Sequence, residues 1–260
     1  LTKKFNFNDI DSLNKVLGKN SERFAAIVLE PDTFDQPNIN FLTEVRRICD
    51  KHGIVLVYDE IICGFRTMLG GAAKKYKILP DLGCFGKAMA NGYPLAALVG
   101  KRNLMEKLNQ VFISGTFAGE LLSIEACLKT LEILKRDNII NNLIKLGRYL
   151  KIELNKKLEE KNLIDEVIFE GNDWWPRLNI KNTNIDKNLF NSLLRQELIA
   201  NGLFLGASLN LCSCHNTDKI KQKTIKKFTN AIDSFSEKKI SKKPEKFLKG
   251  SMLESVFKVR

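Results

Sequence analysis

The sequence has few features of the kinds that build membrane spans or secretory signals. Its 260 residues contain no apolar run close to the ~18 residues of a membrane-spanning helix, which excludes a transmembrane protein. Lys3 and Lys4 lead into a polar stretch at 6–8 rather than an apolar segment, so we expect no secretory signal there. Hydrophobic residues make up 44% and charged residues 28%, which is ordinary globular usage and too apolar for a disordered chain.

Metal-binding patterns are also scarce. The six cysteines are scattered without a C-x-x-C pair, and there are only two histidines. Cys212, Cys214 and His215 lie close together, but the C-x-C-H spacing matches no structural zinc pattern. We therefore predict no metal site and a reducing, cytoplasmic location in which cysteine serves mainly as a small apolar residue.

The excess of positive charge is the feature that would suggest a polyanionic partner. The net charge is +12, and residues 219–260 hold 13 Lys and Arg against 4 Asp and Glu. The phenylalanines of that stretch have the spacing of buried anchors rather than of a base-stacking platform. We interpret the stretch as a solvated helix face with a lysine-rich connection, and we predict neither a nucleic-acid nor a membrane partner. These phenylalanines are Phe228, Phe235, Phe247 and Phe257.

Helical and strand patterns alternate over the first two-thirds of the chain. Apolar strands separated by a helix predict an α/β fold with a parallel sheet covered on both faces. The alternation of helix and strand patterns changes near Lys135. We place a domain boundary there, between residues 1–134 and an α+β domain at 135–260. The predicted helices span 9–19, 41–51, 118–134, 138–158, 187–199 and 217–235, and the predicted strands span 24–29, 54–58, 82–85, 95–99, 164–169, 177–180 and 203–205.

Two charged positions follow predicted strands, where open α/β sheets bind their ligands. Asp59 and Glu60 come directly after four apolar residues, and an acid there needs a partner or a ligand. Lys87 lies among small residues with few charged neighbours, a setting that favours the depressed pKa of a carbonyl nucleophile. Each residue alone is equally compatible with a capping or surface role.

Two ordered motifs give these positions a context. Residues 57–66, VYDEIICGFR, resemble the D-E-[IV]-x-x-G-F segment of class III aminotransferases, the fold-type I enzymes that use pyridoxal phosphate. Residues 80–87, PDLGCFGK, resemble the P-D-L-x-x-x-G-K segment of the same family, in which the lysine holds the cofactor. Asp59 and Lys87 are 28 positions apart, which fits the family's range.

Three further segments resemble the family with departures. Residues 91–97 are similar to its G-x-P-x-G-A turn, with Ala96 where glycine is usual. Residues 114–119 resemble its G-T-x-x-G segment, but Glu120-Leu121 replaces Asn-Pro. Residues 213–218, SCHNTD, are similar to its S-x-x-H-T-x-x-D motif near the end, although the spacing matches less well. Within the family, the sequence most resembles the branch of glutamate-1-semialdehyde 2,1-aminomutase.

The resemblance implies a fold-type I architecture, with residues 1–134 as the rear part of the pyridoxal-phosphate-binding large domain and 135–260 as the small domain. It implies that Lys87 forms the Schiff base with the cofactor and then moves the proton, and that Asp59 faces the pyridine nitrogen. Ile61 would pack against the ring. Thr116 would reach the cofactor phosphate across the interface of a homodimer.

The resemblance also implies that a glycine-threonine phosphate loop and the carboxylate-recognising residues precede Leu1, so we expect this chain to be a fragment that binds pyridoxal phosphate weakly by itself. The reaction stays open among transaminase, aminomutase and racemase, because Lys87 and Asp59 would serve all three. A non-catalytic basic interaction protein and a nucleic-acid binder are the alternatives from other classes, and the amino donor and carbonyl acceptor are not identified.

Overall fold

The computed structural model describes residues 2–116 and 118–254. It divides into two compact units, Leu1–Asn141 and Asn142–Arg260, and the division falls inside helix α6. The boundary predicted near Lys135 lies a few residues earlier, in the last turn of α5, and it stays a prediction about domains. The helices are α1 (Ile10–Leu17), α2 (Ile39–His52), α3 (Gly71–Tyr76), α4 (Arg102–Met105), α5 (Leu121–Arg136), α6 (Ile139–Glu160), α7 (Lys187–Ala200) and α8 (Asp218–Lys239).

A four-stranded sheet forms the centre of the first unit. Its order is β1-β2-β3-β4, with β1, β2 and β3 parallel and β4 antiparallel to β3. The predicted α/β class with a mainly parallel sheet agrees with this arrangement. The strands are β1 (Ala26–Leu29), β2 (Val55–Asp59), β3 (Leu82–Phe85) and β4 (Ala97–Gly100).

Helices α1 and α2 cover one face of this sheet. Ile27 and Leu29 of β1 are buried in the same apolar cluster as Leu42 and Val45 of α2, because alternate strand residues point to one face. Gly53, in the left-handed conformation at φ 67°, ends α2 directly before β2. Because Leu29 of β1 pairs with Tyr58 of β2, the two strands end at the same edge of the sheet.

The other face of the sheet differs from the sequence-based expectation. Val28, which alternates with the buried residues of β1, is 61% exposed, and no element among residues 2–116 and 118–254 covers it. The predicted cover on both faces is therefore incomplete at β1, whereas Val57 of β2 and Leu82 of β3 on the same face are half-buried. The apolar sequence of a strand indicates that both its faces favour burial, but it does not indicate which segment covers each face.

The second unit packs α6, α7 and α8 around the antiparallel hairpin of β5 (Val167–Glu170) and β6 (Arg177–Ile180). Two aromatic pairs join its helices and hairpin, Phe169–Phe228 at 5.7 Å and Phe190–Phe235 at 4.8 Å between ring centroids. Phe228 and Phe235 are thus the buried anchors that the spacing predicts, whereas Phe247 is 41% exposed and contradicts it. Phe257 and the end of the basic stretch, residues 255–260, lie outside the described residues.

The strand predicted at 203–205 is wrong. Leu203 donates its backbone N–H to the carbonyl of Leu198 at the end of α7 rather than to a neighbouring strand, and Phe204 is 92% exposed. The chain meets β6 only further on, through a single bridge between Arg177 and Ser208. A run of three apolar residues signals packing against the core here, and it lacks the paired neighbour that a strand requires.

Candidate active site

The carboxyl ends of β1, β2 and β3 bring three charged residues to one edge of the sheet. Glu30 follows β1, Asp59 is the last residue of β2, and Lys87 lies two residues beyond β3. Burial raises the pKa of Glu30 and the Asp59 carboxylate raises it further, while Lys87 lowers it. Asp59 and Lys87 therefore both lie close enough to Glu30 for their charges to act on it.

Asp59 is half-buried and held by its own turn. Its Oδ1 accepts the backbone N–H of Ile61 at 3.1 Å, which orients the carboxylate at the strand end. Among the described residues, no group donates a hydrogen bond to Oδ2, so this oxygen can accept a donor from a bound molecule. Beside it, burial and the Asp59 charge raise the pKa of Cys84, the residue paired with Asp59 in the sheet.

Lys87 has an unusual backbone. It begins a short 3-10 helix, Lys87–Met89, with φ at +42°, a left-handed conformation that costs a residue with a long side chain of order 1 kcal/mol or more. The side chain is exposed and its amine has no hydrogen bond or ion pair within the part of the chain that the structure describes. Strain of this kind, together with an unpaired amine, concentrates at functional positions.

Ile61 lies beside the turn that carries Lys87. A Cβ added at Gly86 would meet Ile61 Cγ2 at 3.7 Å and the Leu95 carbonyl oxygen at 3.6 Å. Ile61 thus forms an apolar wall between the end of β2 and the residue before Lys87. The structure brings Asp59, Ile61 and Lys87 together, and their roles toward a cofactor stay predictions.

Glu60 has a structural role, in contrast to its neighbour Asp59. Because successive strand residues face opposite sides, Glu60 is buried, and its Oε2 accepts the backbone N–H of Ala72 at 2.6 Å. Gly71 is required in this contact, since a Cβ there would lie 2.1 Å from Glu60 Oε2 and its φ is +70°. Glu60 therefore anchors α3 to the end of β2.

The free energy of unfolding of Glu60→Gln should exceed that of the parent chain by an amount that grows as the pH rises. Burial raises the pKa of Glu60 above its usual value, although hydrogen bonds from Ala72 and Ala73 oppose this effect. A raised pKa means that the folded state is favoured below the ordinary pKa of the acid and loses that advantage as the pH rises through the raised value. Glu60→Gln keeps an oxygen for Ala72 without the buried charge.

Urea unfolding of both chains between pH 4 and pH 8, followed by circular dichroism, measures this difference. Glu60→Ala is the matched control, since it leaves the N–H of Ala72 unpaired and should be less stable than Glu60→Gln by about 1–3 kcal/mol at every pH. A glutamine variant whose stability changes with pH in parallel with the parent would show that Glu60 does not titrate as proposed.

Thr116 lies apart from the strand-end residues. It is exposed and shares no hydrogen bond with Glu30, Asp59 or Lys87 among the described residues. Its neighbour in the motif, Phe117, lies outside the described residues. The departure at Glu120 has a local explanation, because its carboxylate caps α5 by accepting the N–H groups of Leu122 at 2.7 Å and Ser123 at 2.8 Å.

Glu30 is the residue that sequence reasoning missed. It directly follows the predicted strand at 24–29, and an acid after a buried strand is the same signal that points to Asp59. No group of three or more His, Cys, Asp or Glu side chains in residues 2–116 and 118–254 could hold a metal ion, and none of the described helices is long and apolar enough to cross a membrane.

Comparison with known proteins shows which family the chain resembles as a whole. Residues 3–234 match the family described as Aminotransferase class-III. The 3-aminobutyryl-CoA aminotransferase of Cloacimonas acidaminovorans is 40% identical over 185 residues, which cover 68% of this chain and 44% of that protein. A glutamate-1-semialdehyde 2,1-aminomutase of Hyperthermus butylicus is 31% identical over 253 residues, covering 89% of this chain and 58% of its own length.

Solved structures share the fold. A transaminase with PLP bound has a TM-score of 0.83 at 20% identity, over 91% of this chain and 58% of the other. The acetylornithine aminotransferase of Elizabethkingia anophelis has a TM-score of 0.75 at 24% identity, over 88% of this chain and 61% of the other. The predicted fold class is thereby confirmed, and the chain spans about half the length of the curated relatives described above.

Proposed function

Because the chain belongs to the class-III aminotransferase family, whose members depend on pyridoxal phosphate, we propose that it carries the catalytic lysine and the ring-binding aspartate of an aminotransferase. The reaction would move an amino group between an amino donor and an aldehyde or keto acceptor. The observation that carries the proposal is the convergence of Glu30, Asp59 and Lys87 at the carboxyl edge of three adjacent strands.

The residues at this edge fit the cofactor. Lys87 offers an amine that no described residue engages, which a covalent bond to an aldehyde requires. Asp59 offers Oδ2 while Oδ1 is fixed by Ile61 N–H, so a protonated ring nitrogen could be held without displacing an existing contact. When bound, pyridoxal phosphate supplies the aldehyde carbon that carries the amino group and the ring that withdraws electrons from the carbon losing its proton.

The chain's own groups would then divide the work. Lys87 Nζ would hold the cofactor's aldehyde carbon and, once released by the donor amine, would accept and return the proton of the substrate carbon as a general base. Asp59 and Glu30 would keep the potential at the ring nitrogen negative, which favours its protonated form. Ile61 would exclude water from one side of the ring.

A homodimer with Thr116 contributed to the neighbouring site is part of the proposal. Thr116 lies in a stretch whose apolar side chains are open to solvent, with Phe112 95%, Ile113 69% and Leu121 77% exposed. Exposed apolar residues in such number favour an interface with another chain. The neighbouring subunit would then receive the Thr116 hydroxyl near its phosphate, and a cytoplasmic location remains the matching expectation.

An intramolecular amino transfer is the second candidate. Several relatives of 31–41% identity carry the name glutamate-1-semialdehyde 2,1-aminomutase, and the residues named above would serve that reaction equally. The two reactions differ in whether an amino donor, having lost its amino group, is released as a keto acid. Mixing the protein and pyridoxal phosphate with glutamate or alanine, and assaying the keto acid released, separates a transaminase from an aminomutase.

Replacing Asp59 by asparagine should lower amino transfer by about 10²-fold, because the ring nitrogen loses the charge that stabilises its protonated form. Asparagine keeps an oxygen for the N–H of Ile61, so the fold should be unaffected. The cofactor's absorbance change on mixing with an amino donor measures the rate. Asp50→Asn, on the exposed side of α2, is the control, and an Asp59→Asn protein as fast as this control would contradict the assigned role.

A further inference from the structure

Two cysteines in the second unit form a pair that the amino-transfer proposal does not use. The Sγ atoms of Cys212 and Cys214 are 3.1 Å apart, and both residues are exposed. They lie in the connection before α8, with Cys212 preceding and Cys214 inside a short 3-10 helix, Ser213–His215. A disulfide bond is about 2.05 Å long, so the two sulfurs need to approach by only about 1 Å to form one.

We propose that Cys212 and Cys214 are a two-electron redox site that a peroxide converts into a disulfide within the chain. The proposal stands on the thiol geometry and does not depend on the function assigned to Lys87. It identifies Cys212 as the thiol that reacts first and Cys214 as the thiol that completes the bond.

The electrostatics explain this division of roles. The hydrogen bond with Cys214 lowers the pKa of Cys212, and the backbone of Ser213–His215 contributes in the same direction. The same bond raises the pKa of Cys214, which therefore keeps its proton. The thiolate is the reactive form of cysteine, so Cys212 is the nucleophile of the pair.

The other four cysteines differ from Cys212 in both their exposure and the pKa of their thiols. Cys49 and Cys63 are buried, and burial raises the pKa of Cys49 to about 11. Cys84 and Cys127 are half-buried, and burial raises their pKa values as well. Cys212 is thus the one cysteine with a lowered pKa among the described residues, which include all six cysteines.

The reaction balances with peroxide as the oxidant. The Cys212 thiolate attacks one peroxide oxygen, forming an S–O bond as the O–O bond breaks and hydroxide leaves, which takes up the proton that Cys212 had lost. The Cys214 sulfur then attacks the Cys212 sulfur, so that the S–S bond forms as the S–O bond breaks and the thiol proton leaves with the oxygen as water. Two thiols are oxidised, and one peroxide is reduced to two waters.

The test treats the reduced chain with hydrogen peroxide, blocks the remaining thiols with N-ethylmaleimide, and maps every cysteine by peptide mass spectrometry. As the peroxide treatment is lengthened, N-ethylmaleimide labelling of Cys212 and Cys214 should be lost at least about tenfold faster than labelling of Cys84 or Cys127. Reduction with dithiothreitol should restore the labelling of Cys212 and Cys214. Faster loss of label at Cys84 or Cys127 would overturn the proposal, as would a disulfide that links two chains on a non-reducing gel.

Two serine variants separate the roles of the thiols. In Cys214→Ser, oxidation of Cys212 should stop at the sulfenic acid, which dimedone traps as an adduct. In Cys212→Ser, Cys214 should react about tenfold more slowly than Cys212 does in the first variant, because the backbone hydrogen bonds of residues 213–215 that lower the pKa of Cys212 remain in Cys214→Ser, whereas only one such bond acts on Cys214. Both residues are exposed, so the substitutions leave the core untouched. Equal rates in the two variants would contradict Cys212 as the nucleophile.

Discussion

Replacing Lys87 by alanine should lower amino transfer by about 10³-fold or more, because one side chain provides both the covalent attachment and the general base. Incubation with pyridoxal phosphate and reduction with borohydride fixes the bond between lysine and cofactor. Peptide mapping should then find the modification at Lys87 in the parent chain, even where binding is weak, and none above the level of surface lysines in the variant.

Lys77→Ala is the matched control for this experiment. Lys77 is a lysine of the same unit, also in the left-handed conformation, at φ 57° compared with 42° for Lys87. Its substitution therefore places alanine in a similar backbone conformation without touching the strand ends. Labelling that persists in Lys87→Ala, or that disappears in Lys77→Ala, would remove Lys87 from the proposed role.

A small primary amine distinguishes a missing base from a damaged fold. Ethylamine added to Lys87→Ala should restore part of the proton-transfer rate, because it supplies the lost amino group in solution. A misfolded variant would gain nothing. Rescue that depends on the basicity of the added amine would support the general-base role specifically.

The strand ends were predictable because two independent signals agree there. Asp59 and Lys87 each follow an apolar strand, and each lies in a motif of defined spacing. Glu30 lacked a motif, and the proline after it favoured the simpler interpretation of a strand end. The left-handed backbone of Lys87 leaves no trace in the sequence, since lysine has no preference for that conformation.

Cover and pairing were harder to predict than the elements themselves. The apolar run at 203–205 and the apolar strand β1 carry the same kind of pattern, yet one packs as a loop and the other leaves Val28 exposed. Periodicity reports which side chains favour burial, whereas the partner that buries them is set by the rest of the chain. For that reason the predicted strand at 82–85 has the same bounds as β3, whereas the strand predicted at 203–205 is wrong.

Asp81, in the P-D-L motif, should be the most costly acidic residue to neutralise for the stability of the first unit. Its Oδ2 accepts the N–H of Leu56 at 2.7 Å and a guanidinium N–H of Arg46 at 3.0 Å, and its Oδ1 lies 2.6 Å from Lys101 Nζ. One buried carboxylate therefore joins α2, β2 and the residue after β4. Within this motif, Asp81 thus stabilises the fold, whereas Lys87 has the proposed chemical role.

Replacing Asp81 by asparagine should destabilise the first unit by about 2–4 kcal/mol, because Arg46 loses a buried partner and an amide group faces donors. Asp50→Asn is the matched control, since Asp50 pairs with the same Arg46 at 2.7 Å but is 63% exposed, and its loss should cost less than about 1 kcal/mol. Urea unfolding followed by circular dichroism measures both. Tryptophan fluorescence reports the second unit separately, because Trp174 and Trp175 both lie there.

The pH dependence gives this prediction its sharpest form. Burial opposes the charge of Asp81, but the hydrogen bonds from Lys101, Leu56 and Arg46 outweigh it and hold the pKa of Asp81 below its usual value. A depressed pKa contributes stability above the unfolded value of about 3.9, which is lost as the pH falls through the folded value. The difference between the parent and Asp81→Asn should therefore be full at pH 7 and shrink below about pH 4. A difference that stays constant into acid would mean that packing, rather than charge, makes Asp81 necessary.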